Sequence, residues 1–545
     1  MPSSTQSVSP PFLSKQRIIA NAGFNRWLVP PAALAIHLCI GMAYGFSVFW
    51  LPLSKALGIS QPIACAADIG FFQQLFIASC DWKVSTLGWM YTLFFVLLGS
   101  SAAIWGGWLE KVGPRKAGLL SAVCWCGGML ISALGIYLHQ FWLMLLGSGV
   151  IGGIGLGLGY ISPVSTLIKW FPDKRGLATG MAIMGFGGGA MIGSPLAVEL
   201  MSHFSSPSSV GVAQTFVVMA LIYFVFMVAG ALTYRIPAVD WKPKHWQPKA
   251  TVSGLITPHH VHVDRIWGIP QFWLVWLVLC MNVSAGIGII GMASPMLQEV
   301  FAGNLLGKAL SFSQLNEGQL KAVAAIAAGF TALLSLFNIG GRIAWASLSD
   351  KIGRKTTYNV FFILGIILYI SLPFLAAMGS KFLFVSAICI IISMYGGGFA
   401  AVPAYLADLF GTQMVGAIHG RLLTAWATAG VIGPVVVNNM RDYQLSLGIP
   451  ASQVYNQTMF ILAGLLGIGL ICNLMIKPIA AKYFMSEQEL AEAQNQMIEQ
   501  KNQPTGMVLI SQPTAKIWVV LAWLAVGIPL LWGIYRTLMS IRAFF

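Results

Sequence analysis

Arg342 is an isolated cation. It stands eight residues ahead of Asp350, which begins the charged run Asp350, Lys351, Arg354 and Lys355, and every residue between is uncharged. At 1.5 Å of helical rise per residue, that separation sets the guanidinium about 12 Å inside any helix that leaves an apolar layer at Asp350. A cation at such depth is costly unless it faces water or meets an anion, so Arg342 is the first candidate for ligand chemistry. The structural alternative is a buried ion pair. Its two acidic candidates, Glu199 and Asp408, sit near the ends of their apolar segments rather than at that depth. Tyr44, Tyr160, Phe186, Tyr395 and Trp426 also lie well inside apolar segments. Each alone is consistent with packing, but a tyrosine carries a polar tip that wants a partner when buried. A guanidinium ringed by aromatic and small residues suits a small, flat anion. It suits a large sugar less well, because sugars call for many amides and acids. His37 titrates near neutrality in water, yet a bond to a neighbouring carbonyl explains it more simply than proton transfer.

The segments that must position these residues are apolar and long. Of 545 residues, 57% are hydrophobic and 9% charged, which leaves too little polar surface for a soluble domain and makes the bilayer the main solvent. Runs of about 20 apolar residues, each long enough to cross a ~30 Å hydrocarbon layer, occur at 27–54, 84–105, 117–138, 141–166, 177–200, 214–235, 270–297, 320–345, 357–378, 382–406, 420–440 and 456–476, with a further one at 517–535. The chain therefore reads as an all-α membrane protein of twelve core helices and one added helix. Of its 31 lysines and arginines, about 22 fall in segments on one side and six on the other, an asymmetry that places the N-terminus in the cytoplasm and argues against nucleic-acid binding as the role of the basic charge. The first 26 residues lack the short apolar core and cleavage site of a signal peptide.

An internal repeat divides the chain. GGWLEKVGPRK (106–116) follows the second span and WASLSDKIGRK (345–355) follows the eighth. Each copy sets an acid, Glu110 or Asp350, ahead of a glycine, Gly113 or Gly353, and an arginine, Arg115 or Arg354; Gly106 opens the first copy. A carboxylate at a helix end pairs with nearby cations while the glycine permits a tight turn, so these loops are expected to act as conformational latches. Their offset, 240 residues between the two acids, is half a transporter, as expected of parallel repeats about an axis along the membrane normal. The implied division is an N-terminal segment 1–26, one half 27–235, a linker 236–269, a second half 270–476, a tail 477–516 and the helix 517–535. Glycines at 149–163 and 180–195 point to close helix contact rather than to a nucleotide loop, since no strand precedes them. Ser162-Pro163 and Ser194-Pro195 are candidate bends.

Six cysteines lie in apolar spans. Cys65 and Cys80 share the long first loop on the side away from the N-terminus, where a disulfide and two free thiols are both open readings. Ser486 and Glu489 have the spacing of a capping box in the tail. The segment 517–535 is long enough to span, with an interfacial helix as the alternative, and Arg536 and Arg542 would then oppose the charge rule. No metal-spaced His/Cys set, nucleophile elbow or phosphate loop appears, so neither an enzyme nor a cofactor is expected.

The two loop motifs resemble the signature loop of the major facilitator superfamily, which implies two six-helix halves moving by alternating access. KWFPDKRGLATG (169–180), IPQFWLVW (269–276), NIGGRIAWASLSDKIGR (338–354) and DLFGT (408–412) further resemble the oxalate/formate exchanger family. That resemblance implies that Arg342 takes the place of a carboxylate-binding arginine, and Tyr44, Tyr160, Phe186 and Tyr395 the places of cavity aromatics. One departure matters: Trp426, in TAWATAG (424–430), stands where relatives specific for dicarboxylates carry a lysine. A single cation neutralises one charge, so a monocarboxylate such as formate, lactate or pyruvate is expected ahead of oxalate. The helix 517–535 resembles single-span accessory proteins, here fused. The expected partners are a small carboxylate and the bacterial inner membrane, with the chain working as a monomer. A drug or cation exporter would want a buried mid-depth acid, and a transporter-like sensor would bind without moving its ligand.

Overall fold

A computed structural model describes residues 12–21, 23–66, 69–171, 175–238, 241–243, 257, 259–411, 414–490, 492 and 514–541. Pro172, Asp173 and Lys174 of the 169–180 motif, Thr412 of DLFGT, Arg542, and much of the linker and tail lie outside these residues, as does the side chain of Glu110. Among the described residues thirteen helices are long and apolar enough to cross a membrane. They are α1 (Arg26–Leu53), α2 (Val84–Val112), α3 (Pro114–Tyr137), α4 (Phe141–Val164), α5 (Arg175–Phe204), α6 (Val212–Thr233), α7 (Pro270–Phe301), α8 (Glu317–Ile352), α9 (Arg354–Ala377), α10 (Lys381–Phe410), α11 (Ala417–Ser446), α12 (Asn456–Met475) and α13 (Lys516–Ile541).

Each helix in the sequence reading is present, and several run further than their apolar cores. α8 extends to Glu317 and Ile352 because polar ends continue the hydrogen-bonded ladder into water, with Asn316 capping the Gln319 N–H at 2.9 Å. Two helices are irregular where glycine is dense. α1 tightens to a 3₁₀ helix over Gly41–Phe49, and α4 widens to a π-helix over Leu145–Gly152.

The two loop copies share a backbone. Gly113 adopts φ 87°, ψ 163° and Gly353 φ 86°, ψ 150°, a region open essentially to glycine, and each ends one helix and starts the next. These loops and the N-terminal segment define the first face of the bundle. The second face carries the loop after α1, where Cys65 and Cys80 form a disulfide. There the buried Asp81 carboxylate accepts from the backbone N–H groups of Leu57, Gly58 and Ile63 at 2.7, 3.1 and 2.8 Å.

The halves meet along two seams, α2 against α11 and α5 against α8. Toward the second face, α1 also closes on α7. The Trp50 indole donates to the Gly291 carbonyl at 2.8 Å, and the Ser294 N–H donates to Ser47 Oγ at 3.4 Å. α13 runs the depth of the bundle against α1, α5 and α8. Trp523 Nε1 donates to the Trp27 carbonyl at 3.0 Å near the first face, and Arg536 pairs with Glu199 toward the second. The spanning reading of 517–535 is thus the one the packing fits, and the arginine that opposed the charge rule has an acid beside it.

Candidate functional site

Arg342 lies where α8 meets α5 and α10, and three glycines make that meeting close. A Cβ on Gly341 would come within 2.0 Å of the Ser393 carbonyl oxygen on α10, and one on Gly396 within 2.6 Å of Asn338 Oδ1. A Cβ on Gly187 of α5 would stand 3.2 Å from Arg342 Nε. The guanidinium is therefore pressed between backbones and is 1% exposed. Nε–H donates to Asn338 Oδ1 at 2.9 Å and Nη1 to the Ile183 carbonyl at 3.0 Å. Nη2 is buried with no hydrogen-bond partner. Among the described residues no carboxylate forms a salt bridge with it: Glu199 serves Arg536, and Asp408 lies 3.9 Å from Arg354. The buried-ion-pair alternative fails on these contacts.

The aromatic residues singled out in the sequence converge here. Tyr44 meets Phe186 edge-on at 4.9 Å, Phe186 lies 5.6 Å from Tyr160, and Trp426 lies 5.1 Å from Tyr160 and 5.7 Å from Phe186. The Tyr44 and Tyr395 hydroxyls hydrogen-bond each other at 2.7 Å across the two halves. The charge of Arg342 reaches the hydroxyls of Tyr44, Tyr160 and Tyr395. All six residues are 2% exposed or less, so the cage is closed to solvent.

Sequence reading missed four members. Phe399 on α10 lies tilted against Trp426 at 4.5 Å and under the guanidinium, 5.7 Å from its carbon. Phe95 on α2 lies 5.9 Å from Trp426 and 6.0 Å from Tyr44. Asn338 orients Arg342, and Tyr91, one turn from Phe95, has a buried hydroxyl without a partner. Asn338 and Arg342 are four apart, one above the other on a helix, a signal that was present in the sequence. The phenylalanines had none to separate them from packing. His37 donates Nε2–H to the Tyr160 carbonyl at 3.1 Å, supporting the wall of the cage.

The arginines of both loop motifs have partners within their own half. Arg354 binds Asp350 and lies near Asp408, joining α8, α9 and α10 within the second half. Arg115 donates to the carbonyls of Phe12 and Leu232, both at 3.2 Å, and lies over the Phe12 ring. Gly113 packs against Ile18 and Lys15, while Gly106 faces open space. Neither arginine, in these contacts, bridges the two halves.

Comparison with known proteins supplies the family. The model for the Major Facilitator Superfamily matches residues 69–434. The chain belongs to the major facilitator superfamily. It is a multi-pass membrane transporter, not an enzyme. It is 25% identical to the oxalate:formate antiporter of Oxalobacter formigenes over 75% of this chain and 83% of that one. It is 26% identical to apicoplast pyruvate carrier 1 of Toxoplasma gondii over 71% and 78%. Among solved structures, a D-xylose-proton symporter superposes with a TM-score of 0.57 at 14% identity, over 82% of this chain and 96% of that one. That likeness speaks to the fold alone.

Proposed function

We propose that this superfamily member carries small organic anions, monocarboxylates of the formate, lactate and pyruvate class, by alternating access. The observation that carries the reading is Arg342 Nη2, a charged donor buried in an aromatic cage with no acid beside it. An anion entering the cage would supply the missing charge and the missing acceptor together, and would remove the cost of an uncompensated buried cation. A dianion would leave one negative charge over, because Trp426 adds a donor but no charge. The likeness to an oxalate:formate antiporter and to a pyruvate carrier supports the substrate class.

In this reading the first face is cytoplasmic and the second external, consistent with lysine and arginine on one side and the disulfide on the other. The halves 27–235 and 270–476 rock about the cage in a bacterial inner membrane, the chain works as a monomer, and the Glu110 and Asp350 loops hold the helix ends of each half during the motion. Counterflow in proteoliposomes, with labelled formate, pyruvate, lactate and oxalate beside a lipophilic cation, tests it. Saturable exchange of the monocarboxylates is expected. Exchange of the cation with no carboxylate flux would overturn it.

A further inference from the structure

The cage is richer in hydrogen-bond donors than in acceptors, its free acceptors being tyrosine hydroxyl oxygens. Its buried polar atoms without partners are Arg342 Nη2, Trp426 Nε1 and the Tyr91 hydroxyl. The first two can only donate. The Tyr44 and Tyr395 hydroxyls have two hydrogens between them, and their mutual bond uses one. The other acceptors are already taken or distant. Asn338 Oδ1 and the Ile183 carbonyl receive Arg342, and the Tyr160 carbonyl receives His37. Among the described residues the unpartnered side-chain carbonyl and carboxylate oxygens are Gln271 Oε1, on α7 fifteen residues before the Gly286 that meets Tyr395, and Asn438 Oδ1 and Asp442 Oδ2, on α11 twelve and sixteen residues past Trp426. That is about 18 Å or more along the helix. Trp426 belongs to the cage on its own contacts, with its ring enclosed by Phe95, Tyr160, Phe186 and Phe399.

We infer that the site selects monocarboxylates that only accept hydrogen bonds, 2-oxo acids above their 2-hydroxy counterparts, and that Trp426 Nε1 is the donor that reads the 2-position. This deepens the carboxylate-carrier reading and rests on it. A carboxylate takes the charged Nη2 and the tyrosine hydroxyls, and a carbonyl oxygen beside it takes the indole N–H. A 2-hydroxyl presents a proton as well. In the cage that proton meets donors and the oxygens of Tyr44, Tyr160 and Tyr395, which already face a guanidinium, while the Tyr91 oxygen sits one turn of α2 away from Phe95, so the proton is left poorly paired beside Trp426. A buried unpaired donor is expensive enough to reduce uptake about tenfold or more. The two ligands also differ in shape, planar at the 2-carbon of the oxo acid and tetrahedral at that of the hydroxy acid, so the part played by the hydrogen bond is read from the loss of the indole N–H with the ring kept.

The test is kcat/KM for counterflow of two matched pairs in proteoliposomes, pyruvate against lactate and 2-oxobutyrate against 2-hydroxybutyrate, in the full chain and in Trp426→Phe, which keeps the ring and removes the N–H. The inference expects the oxo acid to lead by about tenfold or more in both pairs, and the lead to shrink in the variant. Equal rates, or a lead for the hydroxy acid, would overturn it while leaving carboxylate transport standing. Transport of formate with neither pair would also overturn it. Loss of all carboxylate flux in the unaltered protein would remove the underlying reading instead. Should Trp426→Phe fail to fold, the two ratios in the unaltered protein still decide the preference for oxo over hydroxy acids.

Discussion

Among single residues, Arg342 and its neighbours make the sharpest expectations. Asn338 fixes the guanidinium through one charged hydrogen bond, a type worth about 1.5–3 kcal/mol. Asn338→Ala should therefore raise KM for a carboxylate about tenfold while the protein still inserts, as substrate titration of the initial rate would show. Trp426→Lys puts a second cation into the cage and should bring in oxalate exchange that the unaltered protein performs weakly, at some loss for monocarboxylates. Outside the membrane, His139 stacks on Trp82 at 3.9 Å and bonds the Cys80 carbonyl at 2.9 Å; burial pushes its pKa below the usual 6.5, partly opposed by that carbonyl and by Asp81. Because the folded loop prefers neutral histidine, its contribution is full above about pH 6.5 and is lost as pH falls toward the depressed folded value. Hydrogen exchange in residues 54–83 should rise from pH 7.5 to 5, and His139→Gln should flatten that dependence.

Among elements, glycines decide what can move and what cannot. Gly341→Ala would drive a methyl into the Ser393 carbonyl and push α8 from α10 beside Arg342, so uptake should collapse in a protein that still reaches the membrane. Gly353→Ala tests the shared loop backbone, with strain of about 1–3 kcal/mol visible as a lower melting midpoint in detergent. α13 separates packing from charge. Its ion pair Arg536–Glu199 is roughly half exposed and worth about 0–1 kcal/mol, so Arg536→Gln should hardly alter melting. A chain ending at residue 513 loses the seat of Val526 among Leu34, Ala35 and Leu38 and should melt several degrees lower. Much of this level was legible beforehand. Span count, the repeated loop and the place of Arg342 follow from charge depth and apolar length, which hydrocarbon thickness dictates directly. The 3₁₀ turn at Tyr44, the π-helix in α4 and the roles of Phe95 and Phe399 were not, because they depend on which helix faces which. An aromatic residue inside an apolar run looks the same whether it lines a cage or touches lipid. Arg115 shows the same limit: its motif gave no sign of the two backbone carbonyls it meets, one of them in the N-terminal arm.

At the scale of the whole molecule, two seams bring Arg342 and its aromatic cage together inside the bundle, and the Trp50–Gly291 bond joins α1 to α7 toward the second face. The proposed orientation expects an N-terminal tag to resist protease in intact cells and become accessible after lysis. The central claim is that the unpaired guanidinium is the anion's counter-charge. Equilibrium binding of labelled pyruvate and formate to the purified protein, beside Arg342→Gln and Arg342→Lys, measures it most directly. The account predicts saturable binding in the unaltered protein, a loss of about a hundredfold or more with glutamine, and partial retention with lysine. Undiminished carboxylate affinity in a folded Arg342→Gln would contradict it.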